Sequence, residues 1–207
     1  MKVLAGLVVV PLLLALAACD GDEGPTDVEA PSQTAVETAT ASDAPSDPAL
    51  RDELVAMLQR DQDERTGIDS DDETDQDRAD RLEEIIAERG WPGYDLVGKE
   101  GAEAAWTITQ HADLDPAFQA RAAGLLRAAV EAGQAAPGNL AFLEDRVAVA
   151  RGKAQTYGTQ VDCGPDGPTP ATPVRDPDQV DARRTEVGLG TYEDYLTEIS
   201  EACASGS

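Results

Sequence analysis

Apolar residues recur every three to four positions from Pro48 onward, which is the spacing of one face of an α-helix. The first such stripe follows Asp47, a residue type that caps helix starts. Later stripes stop near Gly90, Gly133 and Gly152, and glycine commonly ends helices. The pattern predicts a mainly α fold, a single-domain bundle of about six to seven helices with one short β hairpin or extended segment.

The third stripe, over residues 102–112, is apolar on nearly all sides and includes Trp106. A helix without a polar face is typical of the centre of a bundle. The fourth helix is predicted to begin at Pro116 with Asp115 as its cap, and the fifth is predicted to begin after Asn139.

The period then changes, because residues 153–161 alternate and contain a central glycine. This segment is predicted to be extended chain or a short hairpin, followed by a proline-rich loop over 163–177. Two more helices are predicted over 177–187, capped by Asp176, and over 192–202.

The N-terminus has the features of a bacterial lipoprotein signal. Lys2 precedes about 16 uncharged, mostly apolar residues, fewer than the roughly 20 that a membrane-spanning helix needs. Small residues then lead to Cys19, which resembles a lipobox, so we expect cleavage after residue 18 and two acyl chains on the cysteine. An ordinary signal followed by a chance cysteine is the alternative.

The chain is therefore predicted to divide into four parts. Residues 1–18 are the signal, and 19–47 are the lipidated cysteine and a disordered acidic tether rich in Pro, Ser and Thr. Residues 48–204 form the helical domain, and 205–207 are a tail. This division predicts a protein anchored on the extracytoplasmic face of the cell membrane.

Two cysteines remain if lipid occupies the first. Cys163 and Cys203 lie in a chain predicted to be exported, where a disulfide is the expected state. Because Cys203 continues an apolar helix face, two separate buried thiols are the alternative. Neither cysteine has the features of a nucleophile.

The formal net charge of −25 limits the partners of the chain. Such a surface repels nucleic acid phosphates, so we expect no nucleic acid partner. The expected partners are the membrane, through the lipid on Cys19, and an unidentified ligand or envelope protein.

Several kinds of site are excluded or disfavoured by composition. The chain has a single histidine, no phosphate-binding glycine loop and no serine-nucleophile motif, so we expect no zinc or other cofactor. The acidic run 69–80 spaces its oxygen ligands as a calcium loop does, but Thr74 stands where glycine is needed and Asp80 where glutamate is expected. A solvated connector is favoured, and weak binding of a divalent cation stays open.

Some polar residues continue apolar faces of the predicted helices. Asp61 and Arg65 extend the inward stripe of the first helix, where a salt bridge between them is expected. On the third helix Gln110 shares a face with Trp106, whereas His111 lies on another. Of two arginines in the sixth helix, Arg183 and Arg184, at least one is predicted to be buried against a carboxylate or a bound anion.

Six motifs occur in a characteristic order along the chain. They are Asp61-Gln62-x-x-Arg65, Gly90-Trp91-Pro92, Gln110-His111-Ala112-Asp113, Asp145-Arg146-Val147, Gln155-x-Tyr157-Gly158-Thr159-Gln160 and Arg183-Arg184-x-x-Val187-Gly188-Leu189. Over about residues 50–196 the chain thereby resembles a bacterial family, domain of unknown function 6624. The resemblance implies a mostly helical, often secreted domain, and it implies no particular reaction.

Three functions are compatible with these residues. The first is binding of a ligand or partner near 155–160, and its candidate residues are Trp91, Gln110, Asp113, Gln155, Tyr157, Gln160, Arg183 and Arg184. The second is a cell-envelope hydrolase in which His111 works with a carboxylate, most plausibly Asp61, Asp113 or Asp145, or in which two carboxylates act together. The third is a purely structural surface lipoprotein.

Overall fold

The computed structural model describes residues 44–68, 73–165 and 167–205. The signal peptide predicted over 1–18, the lipid predicted on Cys19 and most of the predicted tether therefore lie outside the described residues. The same holds for the start of the acidic run, residues 69–72.

Seven α-helices and one antiparallel pair of strands make up the regular structure of the described residues, which confirms the mainly α fold. In chain order they are α1 (Pro48–Thr66), α2 (Asp75–Arg89), α3 (Tyr94–His111), α4 (Pro116–Glu131), α5 (Pro137–Ala150), β1 (Val161–Gly164), β2 (Gly167–Pro170), α6 (Val180–Glu186) and α7 (Tyr192–Ser205).

The helix starts follow local side-chain chemistry. Asp47 accepts the backbone N–H of Leu50 at 3.1 Å, and Asp115 accepts that of Phe118 at 2.8 Å, so both predicted caps are confirmed. The predicted cap at Asp176 is wrong, because its side chain makes no capping bond and its φ is 41°. A single 3₁₀ turn comes between this residue and α6.

Two helices begin earlier than predicted. α3 starts at Tyr94 rather than near residue 102, with a break at Gly98, whose φ of 68° lies in the left-handed region open to glycine. This break interrupts the apolar pattern, so the sequence shows only the second part of the helix. α5 starts at Pro137 instead of after Asn139, since proline is favoured in the first turn.

The hairpin is also displaced from its predicted place. Residues 153–160 form no strand, and a single isolated β-bridge pairs Gln155 with Val174. The two strands β1 and β2 lie further on, within the segment predicted to be a proline-rich loop. The reason is that backbone N–H groups after Gln155 bind a helix side chain, Asp145, instead of a neighbouring strand.

The core is centred on α3, as its apolar pattern predicts. This helix packs against α1, α2, α4 and α5, and Ala104 and Ala105 are fully enclosed. Several aliphatic side chains of the core are at most 2% exposed, among them Leu54, Leu82, Ile108, Leu126 and Leu143. Small alanines on the central helix let its neighbours approach closely, so few aromatic residues are needed to fill the core.

A disulfide joins Cys163 in β1 to Cys203 in α7, which confirms the predicted pair. β2 packs against α7, so the bond fastens the hairpin and the last helix together. On the inner side of α7, the ring of Tyr195 meets the edge of Phe142, which in turn meets Trp106 of α3. The C-terminal elements are thereby connected to the core.

Candidate functional site

The single histidine lies in the last turn of α3 and is paired with α1. His111 is 8% exposed, and its Nδ1 is 2.7 Å from Oδ1 of Asp61, which is fully buried. An ionised carboxylate can only accept, so Nδ1 carries the proton and donates it to Asp61. The opposite nitrogen, Nε2, makes no hydrogen bond within the described residues. Asp61 therefore orients this imidazole through Nδ1, and Nε2 has no partner among the described residues.

Asp61 is held in its ionised form by several donors. Burial by itself raises the pKa of Asp61, but the hydrogen bond and charge of His111 and those of Arg65 outweigh it and lower the pKa to about 2. Gln62 donates to Oδ2 at 2.7 Å, and the Arg65 guanidinium lies 3.2 Å from Oδ1. Arg65 Nε is also 3.2 Å from His111 Nδ1, but its hydrogen is directed to the carboxylate because Nδ1 is itself a donor.

A second layer of charges surrounds this pair where α1 meets α2. Arg78 is 1% exposed and donates to Glu64 at 2.5 Å and to Asp75 at 2.7 Å, and Asp75 also accepts from Arg65 at 2.9 Å. Asp75 belongs to the predicted acidic connector, whose described part opens α2 and pairs with arginines. No group of three histidines, cysteines or carboxylates suited to a metal ion occurs in the described ranges.

A separate polar cluster joins the end of α3 to α5. Arg146 donates from Nε to Oε1 of Gln110 at 2.9 Å and from Nη1 to Asp113 at 2.6 Å. Gln119 of α4 donates to the backbone oxygen of Thr109 at 3.2 Å. The sequence motif that contains Arg146 does not identify it as a site residue, because helical periodicity does not indicate which amide or carboxylate a long side chain will reach.

Asp145 organises the loop 155–160 and does not contact the histidine. Its carboxylate accepts the N–H of Thr156 at 2.6 Å and those of Tyr157 and Thr159 at 3.0 Å each. No hydrogen bond joins it to His111 among the residues that the structure describes. We therefore assign Asp145 a positioning role and do not group it with His111.

The two glutamines of this loop, Gln155 and Gln160, donate to backbone carbonyls. Gln155 is fully buried, and its amide donates to the carbonyls of Gln160 and Thr172 at 2.9 and 3.0 Å while accepting the N–H of Gln160 at 2.8 Å. The Gln160 amide donates to Phe142 O at 3.4 Å. These hydrogen bonds fix the backbone path of residues 155–160.

The arginines of α6 donate to backbone carbonyls, so the predicted pairing with a carboxylate is not found among the described residues. Arg183 donates from Nε to Thr156 O at 2.8 Å. Arg184 is 2% exposed, donates to Tyr157 O at 2.9 Å and lies 4.8 Å from the ring centre of Tyr195. Burial lowers the pKa of Arg184. Carbonyl dipoles and an aromatic face thus replace the expected counter-ion.

Two surface grooves of the described residues lie away from His111. One, of about 550 Å³, is bordered by Val180, Tyr192 and Leu196, and the hydroxyl of Tyr192 is buried without a partner. The other, of about 430 Å³, is bordered by Trp91 and Leu125 and includes no residue of the loop 155–160. The predicted ligand-binding residues are thus divided among several places.

Residues 48–205 match the sequence profile described as "Family of unknown function (DUF6624)". The chain belongs to the DUF6624 family. No curated protein and no solved structure matches it. Within the described part of the chain, none of the helices of this DUF6624 domain is long and apolar enough to cross a membrane.

Proposed function

We propose that this DUF6624 domain is a hydrolase of the cell envelope in which His111 acts as a general base. The observation that carries the proposal is the 2.7 Å bond from Nδ1 to Asp61, combined with an Nε2 that makes no hydrogen bond in the described residues. A general base needs one nitrogen fixed by an orienting group and the other left to take a proton.

The remaining contacts support this role. Because Asp61 stays ionised, it fixes the tautomer of His111 and stabilises the imidazolium that forms when Nε2 takes a proton from water. Gln62 and Arg65 occupy the other sites on the carboxylate, which prevents it from rotating away. General base catalysis of this kind contributes roughly 10²- to 10⁴-fold in rate.

A purely structural histidine is the competing explanation. Buried polar groups in a structural network normally have a partner for each nitrogen or oxygen. Among the described residues His111 has a hydrogen-bond partner on Nδ1 only, whereas the neighbouring Arg65 and Asp75 bind each other. The one-sided bonding favours a function at Nε2.

The test uses the fact that the chain contains one histidine. Hydrolysis of p-nitrophenyl acetate by the mature chain is expected to fall to the buffer rate in His111→Gln and by about 10²- to 10⁴-fold in Asp61→Asn. Asp52→Asn, an exposed change on the same helix, is the matched control and should retain full activity. In ¹⁵N NMR the imidazole should show a protonated Nδ1 and an unprotonated Nε2. If folded His111→Gln hydrolysed the ester at the wild-type rate, the general base would be rejected and His111 would be a structural residue.

The location is part of the proposal. A lipobox-like sequence ending at Cys19 supports lipid anchoring, and the disulfide between Cys163 and Cys203 supports an oxidising compartment. Labelling of expressing cells with radioactive palmitate should mark the wild-type chain and not Cys19→Ser. Label retained in Cys19→Ser would count against the anchor.

A second candidate function is binding of an envelope ligand in the groove beside α6 and α7. The buried, unpartnered hydroxyl of Tyr192 favours it, and this ring packs directly on Gly158 of the loop 155–160. Cell-wall fragments that bind there should raise the melting temperature of the wild-type chain. Leu196→Trp, which fills the groove, should abolish that rise, and an undiminished rise would place binding elsewhere.

A further inference from the structure

A surface groove of about 430 Å³ lies between the junction of α2 with α3 and the last turns of α4. Trp91 and Leu96 border it on the first side, and Leu125, Ala128 and Ala129 border it on the other. Small-ligand sites usually have volumes of about 300–1,000 Å³, so the groove is large enough for one. We call it the Trp91 groove. No residue of the proposed hydrolase site borders it.

The two walls of the Trp91 groove are held together by contacts within the domain. The side chain of Gln134, which also borders the groove, accepts the N–H of Asp95 at 2.8 Å and donates to its carboxylate at 2.9 Å. This side chain fastens the start of α3 to the turn after α4. On the α4 wall, Leu125 is 40% exposed and lies three positions before Ala128, so both side chains share one face of the helix. The groove is therefore already formed in the absence of a ligand.

One hydrogen-bond donor of the groove residues has no acceptor. Nε1 of Trp91 is buried and makes no hydrogen bond within the described residues, whereas Nε1 of Trp106 donates to the backbone oxygen of Asn139 at 2.9 Å. A buried N–H without an acceptor is unfavourable, and most such groups in proteins are paired. Because an indole nitrogen only donates, a ligand that satisfies it must bring an acceptor oxygen. A purely apolar ligand would leave this N–H unpaired.

The charged side chains that border the groove have partners within the domain. Arg89 pairs with Asp47 at 2.8 Å, and Asp95 accepts from Gln134 at 2.9 Å. The lining therefore carries one positive and one negative side chain. A charged ligand would be repelled by one of the two as it was attracted by the other, so the groove suits an uncharged ligand.

We propose that the Trp91 groove binds an uncharged N-acetylated sugar. The C–H groups of a sugar ring form an apolar face that packs on Trp91 and Leu125, while the acetamido oxygen accepts the indole N–H. An extended peptide is a poorer occupant, because no strand borders the groove and a peptide would find no sheet edge to join. This binding goes beyond the hydrolase proposal and does not depend on His111.

The two tryptophans allow binding to be observed at the indole itself. In ¹⁵N–¹H NMR spectra of the mature chain each indole N–H gives one peak, and Trp91→Phe identifies the peak of Trp91. Addition of tri-N-acetylchitotriose at millimolar concentration should shift this peak until it saturates. The Trp106 peak should stay in place, because its N–H is already bonded.

Surface variants test whether the groove is the site. Leu125→Arg, which places a long charged side chain in the groove, should abolish the shift of the Trp91 peak. Leu114→Arg, the same change at an 82% exposed position outside the groove, is the matched control and should retain the wild-type dissociation constant. By calorimetry Trp91→Phe should bind the sugar about 10-fold more weakly, because one hydrogen bond is lost.

The proposal fails if the sugar leaves the Trp91 peak unmoved or binds Leu125→Arg as tightly as wild type. Tighter binding of hexanoate or hexylammonium would overturn the uncharged ligand, and tighter binding of a polyproline peptide would overturn the sugar. If Trp91→Phe fails to fold, Leu125→Arg decides, because its side chain is at the surface. Ester hydrolysis that depends on His111 should be unchanged in Leu125→Arg, so the two proposals fail separately.

Discussion

Asp61 is an anion enclosed by the protein, and its contacts explain how it stays charged. A carboxylate removed from water is costly unless donors replace the water. His111, Gln62, Arg65 and, at 3.9 Å, Arg78 provide that replacement. Asp61 therefore both stabilises the fold and orients His111.

The depressed pKa of Asp61 predicts how stability depends on pH. A carboxyl whose pKa is about 2 in the folded chain, against an ordinary 3.8, contributes stability that is fully present above about pH 4. That contribution, about 2 kcal/mol, is lost as pH falls from about 4 to about 2. Urea unfolding between pH 2 and pH 7 should show this loss in wild type.

Asp61→Asn tests whether this pH-dependent stability comes from the Asp61 carboxylate. The variant leaves Arg65 and Arg78 without their buried counter-charge, so its free energy of unfolding at pH 7 should be lower by about 3–5 kcal/mol. Its deficit relative to wild type should shrink below pH 4. Asp52→Asn, exposed on α1, should stay within about 1 kcal/mol of wild type throughout. A deficit in Asp61→Asn that is independent of pH would contradict the assignment.

The loop 155–160 is an element without regular structure that is built around one side chain. Asp145 of α5 receives three backbone N–H groups from it, and the carbonyls of Thr156 and Tyr157 are bound by Arg183 and Arg184 of α6. Charged side chains thus satisfy the backbone N–H and C=O groups of this loop, as a neighbouring strand does in a sheet.

Asp145→Asn should loosen this loop more than the rest of the domain. The amide nitrogen of asparagine would face N–H donors, so we expect the free energy of unfolding to fall by about 2–3 kcal/mol. Hydrogen exchange at Thr156, Tyr157 and Thr159 should speed up ahead of exchange in α3. Asp162→Asn, an exposed change in β1, is the control and should leave those amides unaffected. Equal acceleration in α3 would argue for a global effect instead.

At the scale of the whole domain, the disulfide sets how firmly the C-terminal elements are held. It closes a segment with a sequence separation of 40 between Cys163 and Cys203, which spans β1, β2, α6 and α7. Closing a loop of that length removes conformational freedom mainly from the unfolded chain.

Replacing both cysteines by serine should therefore lower the free energy of unfolding by about 3–4 kcal/mol. Guanidinium unfolding of Cys163→Ser with Cys203→Ser, compared with wild type with and without reductant, measures it. Reductant should reproduce the loss in wild type and have no effect on the double variant. Equal stability of all samples would mean that the bond contributes nothing.

The sequence predicts those contacts of the site that lie within one helix, and it does not predict those between helices. The inward direction of Asp61 and its bond to Arg65 were predictable, because both depend on positions four apart on one helix. For the partner of His111 the sequence leaves three carboxylates open, since the pairing depends on which helices pack together. The contacts of Arg146 are not predictable from the sequence for the same reason.

The sequence by itself determined the helices, most of their caps and the disulfide partners, because these depend on local spacing and on a count of cysteines. Tertiary structure alone decided that His111 faces Asp61 while Asp145 holds a loop, and that the hairpin forms at β1 and β2. The physical reason is that these contacts join residues far apart in the chain. Their energies depend on helix packing and on competition for the same backbone N–H groups.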